Sequence, residues 1–486
     1  MVNSQNINVI TYAQRHTSIK GMIPILIALL VLSACNSNKD KQSTSTYIGG
    51  EIINPKRGHV ILAKNNQTID SIVLNAHNRF FYEFKDVDPG IYQFIHGERQ
   101  LIHIEPGDSI MVRVNTTEFD ESISFSGKGS ERSSFLIDMH LQWEKEYKKV
   151  RQHYQKSPED FQHFLDSLHR IREKKLNKFN IKYEASSEFQ EIASAAINFD
   201  NYQRKESYPF SHYRENDKIA FINELSGDFY SFRESINFNN MNLFDLYSYQ
   251  RYLSAFLNHQ AYKEYCQNHS YNTVSYLHNY NEIKVINKYI TNPKLKDMKL
   301  FRTGQRFIEN SNDKKRVDEI FKLVTASMTS PDIKKNISNL YEAHKKMEAG
   351  NIIPDLMLVN SEQRMVTLSS RVQKPTVLYF WSYNSHMHME ESHKKAKDLQ
   401  SKYPEFNFIG VNVNDENNKW IKHIRQHEFD PSMEYRFNNA RDARKSLVIN
   451  DISKTIVLDK KGRILNSHAN IHRTNFESEL LAYLNQ

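Results

Sequence analysis

The chain has 486 residues, long enough for two to four domains, and its 39% hydrophobic and 25% charged residues place it among folded rather than disordered proteins. The net charge is +8, and removing residues 1–34 would take away Arg15 and Lys20 and no acid, leaving +6. So mild an excess, without a dense Lys/Arg block interleaved with aromatics, excludes a nucleic-acid-binding reading and describes a solvated, slightly basic surface. There are two cysteines, Cys35 and Cys266. If Cys35 is consumed in processing, Cys266 stands alone and the mature chain has no internal disulfide.

Met22 to Leu32 is an apolar run preceded by Lys20. A spanning helix needs about 20 apolar residues, so this run is short for a membrane span and suits the core of a signal peptide over residues 1–34. It ends in Leu32-Ser33-Ala34-Cys35, which resembles a bacterial lipobox and implies lipidation of Cys35. Residues 35–46 then form a polar tether with no apolar side chains to bury. Lipid on Cys35 would hold the protein to a membrane face while the body stays in water. Asn36 after the cysteine implies, by the same resemblance, the outer membrane of a bacterial cell envelope.

Residues 47–128 read as short strands at 47–53, 59–63, 71–74, 80–84, 90–94, 101–105 and 109–114, separated by turns such as Asp88-Pro89-Gly90 and Pro106-Gly107-Asp108. That spacing predicts a β-sandwich-like domain. Glu105 and Asp108 flank the second turn as turn formers rather than as paired catalytic acids.

Residues 131–349 nearly lack glycine and carry apolar residues at helical intervals, as in Phe135, Met139, Trp143 and Tyr147, or Phe161, Phe164, Leu168 and Ile171. An all-α bundle of eight to ten helices is expected, broken near Ser157-Pro158, Ser207-Tyr208-Pro209, Asn292-Pro293 and Ser330-Pro331. Cys266 falls inside a predicted helix as a buried, small apolar residue.

From residue 350 to 486 strands and helices alternate. A hairpin is expected over 355–359 and 365–368, then a strand at Thr376–Phe380, a helix from about Ser385 to Lys402 and a strand at 406–413. A helix across 419–427, strands at 455–458 and 463–465, and a helix from about Thr474 to Leu484 complete the order. Pro354-Asp355, Leu378-Tyr379-Phe380-Trp381, and Thr455 to Asp459 with Gly462 resemble TlpA/ResA-like thioredoxin-fold lipoproteins. Asp88–Tyr92 and Ile104–Ile110 are similar to the small β domain that precedes the thioredoxin-like domain in such lipoproteins. The whole is thus expected to be multidomain α+β: a β-sandwich-like domain, a helical domain and a thioredoxin-like α/β domain.

The resemblance also exposes departures. Laid on the family's Cys-x-x-Cys, the two cysteine positions hold Ser385 and His388, and the position of the family's cis proline holds Ser453. Thiol–disulfide exchange needs one thiolate to attack sulfur and a second thiol to resolve the mixed disulfide. No catalytic residue is assigned, and no cofactor is called for. No carboxylate lies in Val377–Phe380, where thioredoxins often bury an acid. A cis bond before a non-proline costs about 2.5–4 kcal/mol, so the Ile452–Ser453 bond is expected to be trans.

The leading expectation is a redox-inactive thioredoxin-like envelope lipoprotein that binds another envelope protein or a peptide. Trp381, Tyr383, Ser385, His386 and Ser453 are its candidate surface. The alternative is copper or zinc handling through His386, His388 and His393, with Met387 and Met389 alongside. On a helix, residues 386 and 388 point about 200° apart, which opposes convergence. A third reading keeps only the fold of an oxidoreductase.

Overall fold

The computed structural model describes residues 45–212, 218–225, 227–266, 269–413 and 416–484. The expected signal peptide, Cys35 and nearly all of the expected tether lie outside the described residues. Among the described residues no helix is long and apolar enough to cross a membrane.

The first segment is all β: β1 (Thr46–Ile53), β2 (His59–Lys64), β3 (Gln67–Val73), β4 (Arg79–Phe84), β5 (Gly90–His96), β6 (Glu98–Ile104), β7 (Ser109–Asn115) and β8 (Ser124–Ser126). They form two four-stranded sheets, ordered β4-β1-β7-β8 and β3-β2-β5-β6. Alternate residues meet between them: Ile48, Ile52, Ile110 and Val112 from one sheet, Val60, Leu62, Phe94 and Ile102 from the other. The turn acids Glu105 and Asp108 both reach Arg132, at 3.3 and 2.5 Å. They hold the sheet to the first long helix. Strand β3 begins four residues before the expected start. It is an edge strand whose first half is exposed on both faces, so no hydrophobic alternation marks it.

The middle of the chain contains nine α-helices among the described residues: α1 (Ser130–His153), α2 (Pro158–Tyr183), α3 (Ser187–Ser211), α4 (Lys218–Glu224), α5 (Tyr247–Lys263), α6 (Tyr276–Tyr289), α7 (Pro293–Asn310), α8 (Lys314–Ser327) and α9 (Pro331–Lys346). Three of the expected breaks are N-caps followed by proline at the first helical position. Ser157, Asn292 and Ser330 accept from the backbone N–H three residues on, at 3.2, 3.1 and 3.4 Å. The break expected near Ser207-Tyr208-Pro209 falls two residues past the proline. Helix α3 runs through that residue and ends at Ser211; the proline forfeits the one bond its N–H would have made to the carbonyl four residues back, and the helix stops within a turn of it. Buried Phe135, Phe189, Tyr249, Tyr252, Leu253 and Ile286 belong to the bundle core, and Cys266 is buried.

The last segment is a seven-stranded sheet, built from β9 (Met357–Asn360), β10 (Met365–Thr367), β11 (Thr376–Trp381), β12 (Asn407–Asn412), β13 (Glu434–Phe437), β14 (Thr455–Leu458) and β15 (Ile464–Ala469) in the order β10-β9-β13-β12-β11-β14-β15. Strands β11, β12 and β13 run parallel; the flanking pairs are antiparallel. Its helices are α10 (His386–Lys402), α11 (Asn417–Gln426), α12 (Ala440–Ser446) and α13 (Phe476–Leu484). Every residue of β11 is buried, as a central strand covered on both faces requires. Val377, Tyr379 and Trp381 pack with α10, α11 and α13, whereas Leu378 and Phe380 pack with α12. Leu340 and Ala343 of α9 join that second layer, so the helical bundle abuts the sheet directly.

Candidate functional site

Strand β11 empties into a turn and then into the N-terminus of α10. Ser382 Oγ accepts from Asn384 N–H at 3.3 Å, and the Ser385 N–H returns to the Ser382 carbonyl at 3.1 Å. Ser385, half-buried, takes the N-cap position, but its side chain makes no capping hydrogen bond. Free N–H groups and the positive end of a 17-residue helix therefore face the turn. That field would favour a thiolate here, and a serine hydroxyl gains little from it.

Beneath the turn lies a carboxylate that sequence reasoning missed. Glu434 on β13 is 2% exposed. It accepts from Tyr379 Oη at 3.1 Å and from Trp381 Nε1 at 2.8 Å, and lies 3.1 Å from His393 Nε2. The other nitrogen of His393 faces the Met389 carbonyl at 2.7 Å, and the ring stacks on Phe429 at 3.5 Å. Both nitrogens of His393 thus face oxygen atoms. Burial and the neighbouring Glu434 raise the Tyr379 hydroxyl well above its ordinary pKa, so it stays a donor. An acid buried beside the end of β11 is present after all, supplied by β13, the parallel strand beyond β12, instead of by β11.

The expected surface residues separate. Trp381 is fully enclosed by Glu434, His393 and Phe429, so it is core and not surface. Tyr383 and His386 are exposed, and Met387 is 73% exposed. Tyr383 stacks on His423 at 3.6 Å, and His386 lies 5.6 Å from the His427 ring. The rim of the turn is therefore built from two helices, and its α11 side carries histidines that α10 alone did not reveal. Ser453 is half-buried in the loop before β14, with its N–H on Asp451 Oδ1 at 2.9 Å. No cis peptide bond occurs among the described residues.

The three candidate metal-ligating histidines face different partners. His386 faces Glu390 at 3.6 Å and His427. His388 is beside His472 and Ser392, whose Oγ lies 3.4 and 2.9 Å from their respective Nε2 atoms. Burial, then the neighbouring His472, lowers the His388 pKa. His393 points inward to Glu434. Successive helix positions fan the rings apart, as the 200° separation of residues 386 and 388 requires.

A second concavity lies between the β segment and the bundle. This cleft of about 790 Å³ is lined by Arg99, Trp143, Asp245, Tyr247, Arg251 and Arg302, among others. Tyr247 Oη donates to the Arg99 carbonyl at 2.7 Å and closes one wall.

No curated protein matches the chain. Solved structures similar to it include a candidate thiol-disulfide oxidoreductase from Bacteroides vulgatus, with 18% identity over 28% of this chain and 97% of that one at a TM-score of 0.26. A domain of a candidate thiol-disulfide isomerase from Cytophaga hutchinsonii has 23% identity over 28% and 93%, with a TM-score of 0.26. A thiol:disulfide interchange protein from a Bacteroides species has 18% identity over 29% and 93%, with a TM-score of 0.25. Residues 373–464 match a family model described as thioredoxin-like, and the sheet and helices over those residues are those of a thioredoxin-like domain.

Proposed function

We propose that this protein is a redox-inactive, thioredoxin-like lipoprotein of the cell envelope, anchored through lipid on Cys35, whose degenerate site serves as a binding or assembly surface. One observation carries the reading. The helix N-terminus that would activate an attacking thiol presents Ser385, and the position one turn on presents His388, which is turned toward Ser392 and His472. Disulfide exchange needs sulfur at both positions, and Cys266 is buried away in the helical segment. Exposed Tyr383 and Met387 beside His386 give this rim an aromatic and a thioether, side chains that adapt well to a protein or peptide partner. The extracytoplasmic, outer-membrane placement rests on Leu32–Cys35 and Asn36.

Insulin reduction with dithiothreitol or a reductase system tests the redox part. The purified protein is expected to show no catalysis, and Ser385→Cys with His388→Cys is expected to gain it. Catalysis by the unaltered protein would overturn the proposal. Radiolabelled fatty acid incorporated into the parent and absent from Cys35→Ser checks the anchor.

A further inference from the structure

We propose that Asp120, His140 and Glu144 form a binding site for a divalent cation of the zinc type, at the joint between the β segment and the helical bundle. Asp120 lies in a single helical turn, Phe119–Ser122, just after β7, and His140 and Glu144 sit one turn apart on one face of α1. His140 Nε2 is 3.7 Å from Asp120 Oδ2 and 3.6 Å from Glu144 Oε1, and one ligand atom from each residue lies within 4.8 Å of the others. Among the described residues this is the only trio of histidine, cysteine or acidic side chains that meets that condition.

The competing reading is an imidazolium paired with two carboxylates. Charge-assisted hydrogen bonds of that kind close to about 2.7–2.9 Å, and both distances here are well beyond that range. The 3.6 Å separation matches, and the 3.7 Å one slightly exceeds, the spacing of two ligands on one ion, since bonds of about 2.0–2.2 Å at a tetrahedral angle put ligand atoms about 3.3–3.6 Å apart. The imidazole is also held in place. Its ring lies parallel to Trp143 at 6.2 Å and meets the Tyr247 ring edge-on at 5.9 Å. Tyr247 is fixed in turn by its bond to the Arg99 carbonyl. One imidazole and two carboxylates suit zinc in preference to a soft copper(I) site, and three protein ligands leave a fourth position open. The Glu144 side chain is 46% exposed, so that position faces water.

Such an ion would tie the end of the β segment to α1, beside the cleft that Trp143 and Tyr247 line. Binding requires a neutral imidazole, so any proton on His140 leaves as the metal enters.

The test uses the full chain, stripped with chelator and titrated with zinc by calorimetry and with cobalt(II) by visible absorption. One zinc per chain and a cobalt spectrum of low coordination number are expected, with a rise in thermal midpoint on adding zinc. His140→Ala and Asp120→Asn should abolish all three signals, and the exposed Glu144→Gln, which cannot disturb the core, should weaken binding at least about tenfold. His386→Ala with His388→Ala should bind zinc like the parent. Absence of zinc binding by the parent, or the same stoichiometry and affinity in Asp120→Asn and Glu144→Gln, would overturn the proposal.

Discussion

Gly410 on β12 lies directly opposite Glu434 on the parallel strand β13, and a Cβ at position 410 would fall 2.3 Å from the Glu434 carboxylate. The absent side chain leaves the space in which the acid turns under β11 to meet Tyr379, Trp381 and His393. Gly410→Ala is therefore expected to displace Glu434 and strand up to three buried donors. Each unmade bond costs about 1–3 kcal/mol, tempered by whatever partners the freed groups recover. Urea denaturation should show a loss of at least about 2 kcal/mol. Trp381 fluorescence should shift as its indole loses the carboxylate. Glu434→Gln, which keeps an acceptor, should cost less. Unchanged stability in Gly410→Ala would mean the carboxylate is not held by these groups.

The same pair shows where sequence reading ran out. Strands such as Thr376–Trp381 and Thr455–Leu458 announce themselves through unbroken β-type residues. Strand β13 does not, because its inward-facing Glu434 breaks the apolar pattern and makes the stretch look like a loop. The buried acid and the strand that carries it were missed for one reason: burial of a charge follows from tertiary partners that no local window contains. The rim has the same character. Tyr383 and His386 were legible in the turn, but His423 and His427 join them only because α11 packs beside α10. Trp381 was misjudged because an aromatic at the end of a strand reads equally as surface or core, and Glu434 decides it. The N-caps before Pro158, Pro293 and Pro331 needed only local chemistry, and these helices start as expected.

A buried charge network holds the helical bundle at Asp200. Arg172 bonds Asp200 and Glu146 at 2.6 Å each, Arg204 bonds Glu146 at 2.9 Å, and Arg251 bonds Asp200 at 2.9 Å. Removing one member leaves the opposite charges buried and unpaired, which costs about 3–5 kcal/mol. Asp200→Ala should therefore lower stability by that order, and Asp200→Asn by less, in chemical denaturation followed by circular dichroism. A change below about 1 kcal/mol in Asp200→Ala would show that water relieves the network.

Stability should fall on acidification through two buried histidines and a half-buried one. Burial lowers the pKa of His103, His278 and His468 to about 3 each, with Arg132, Arg306 and Lys454 adding to the effect on the respective rings. Arg132 Nε donates to His103 Nδ1 at 3.1 Å, so that nitrogen must stay bare. Unfolded, each ring takes a proton near pH 6.5; folded, it does not until about pH 3. The unfolded state thus binds more protons between those values, and stability decreases as pH falls through that window. Each histidine should remove about 2 kcal/mol between pH 7 and pH 5. His103→Gln, which keeps an acceptor for Arg132, should flatten the dependence by one histidine's share. A pH-independent stability from 7 to 5 would contradict this account.

The N-terminus of α10 makes a direct prediction for a single thiol placed there. Ser385 is the N-cap of a 17-residue helix and its side chain makes no capping bond, so a sulfur at that atom would face free N–H groups and the positive end of the dipole. Both favour a thiolate over a thiol, and cysteines in such positions titrate at about 3.5–7.5 instead of about 8.5. Cys266 is the opposite case: it is buried, and burial pushes its thiol pKa up. In a background of Cys35→Ser and Cys266→Ser, Ser385→Cys should react with iodoacetamide along a titration curve whose midpoint lies at least about one unit below an ordinary cysteine. His388→Ala in the same background should leave that midpoint nearly unchanged, because the ring is turned toward Ser392 and His472. A midpoint at or above 8.5 would mean that the turn does not favour a thiolate. A depressed midpoint would show that the turn supplies the field that activates a thiol.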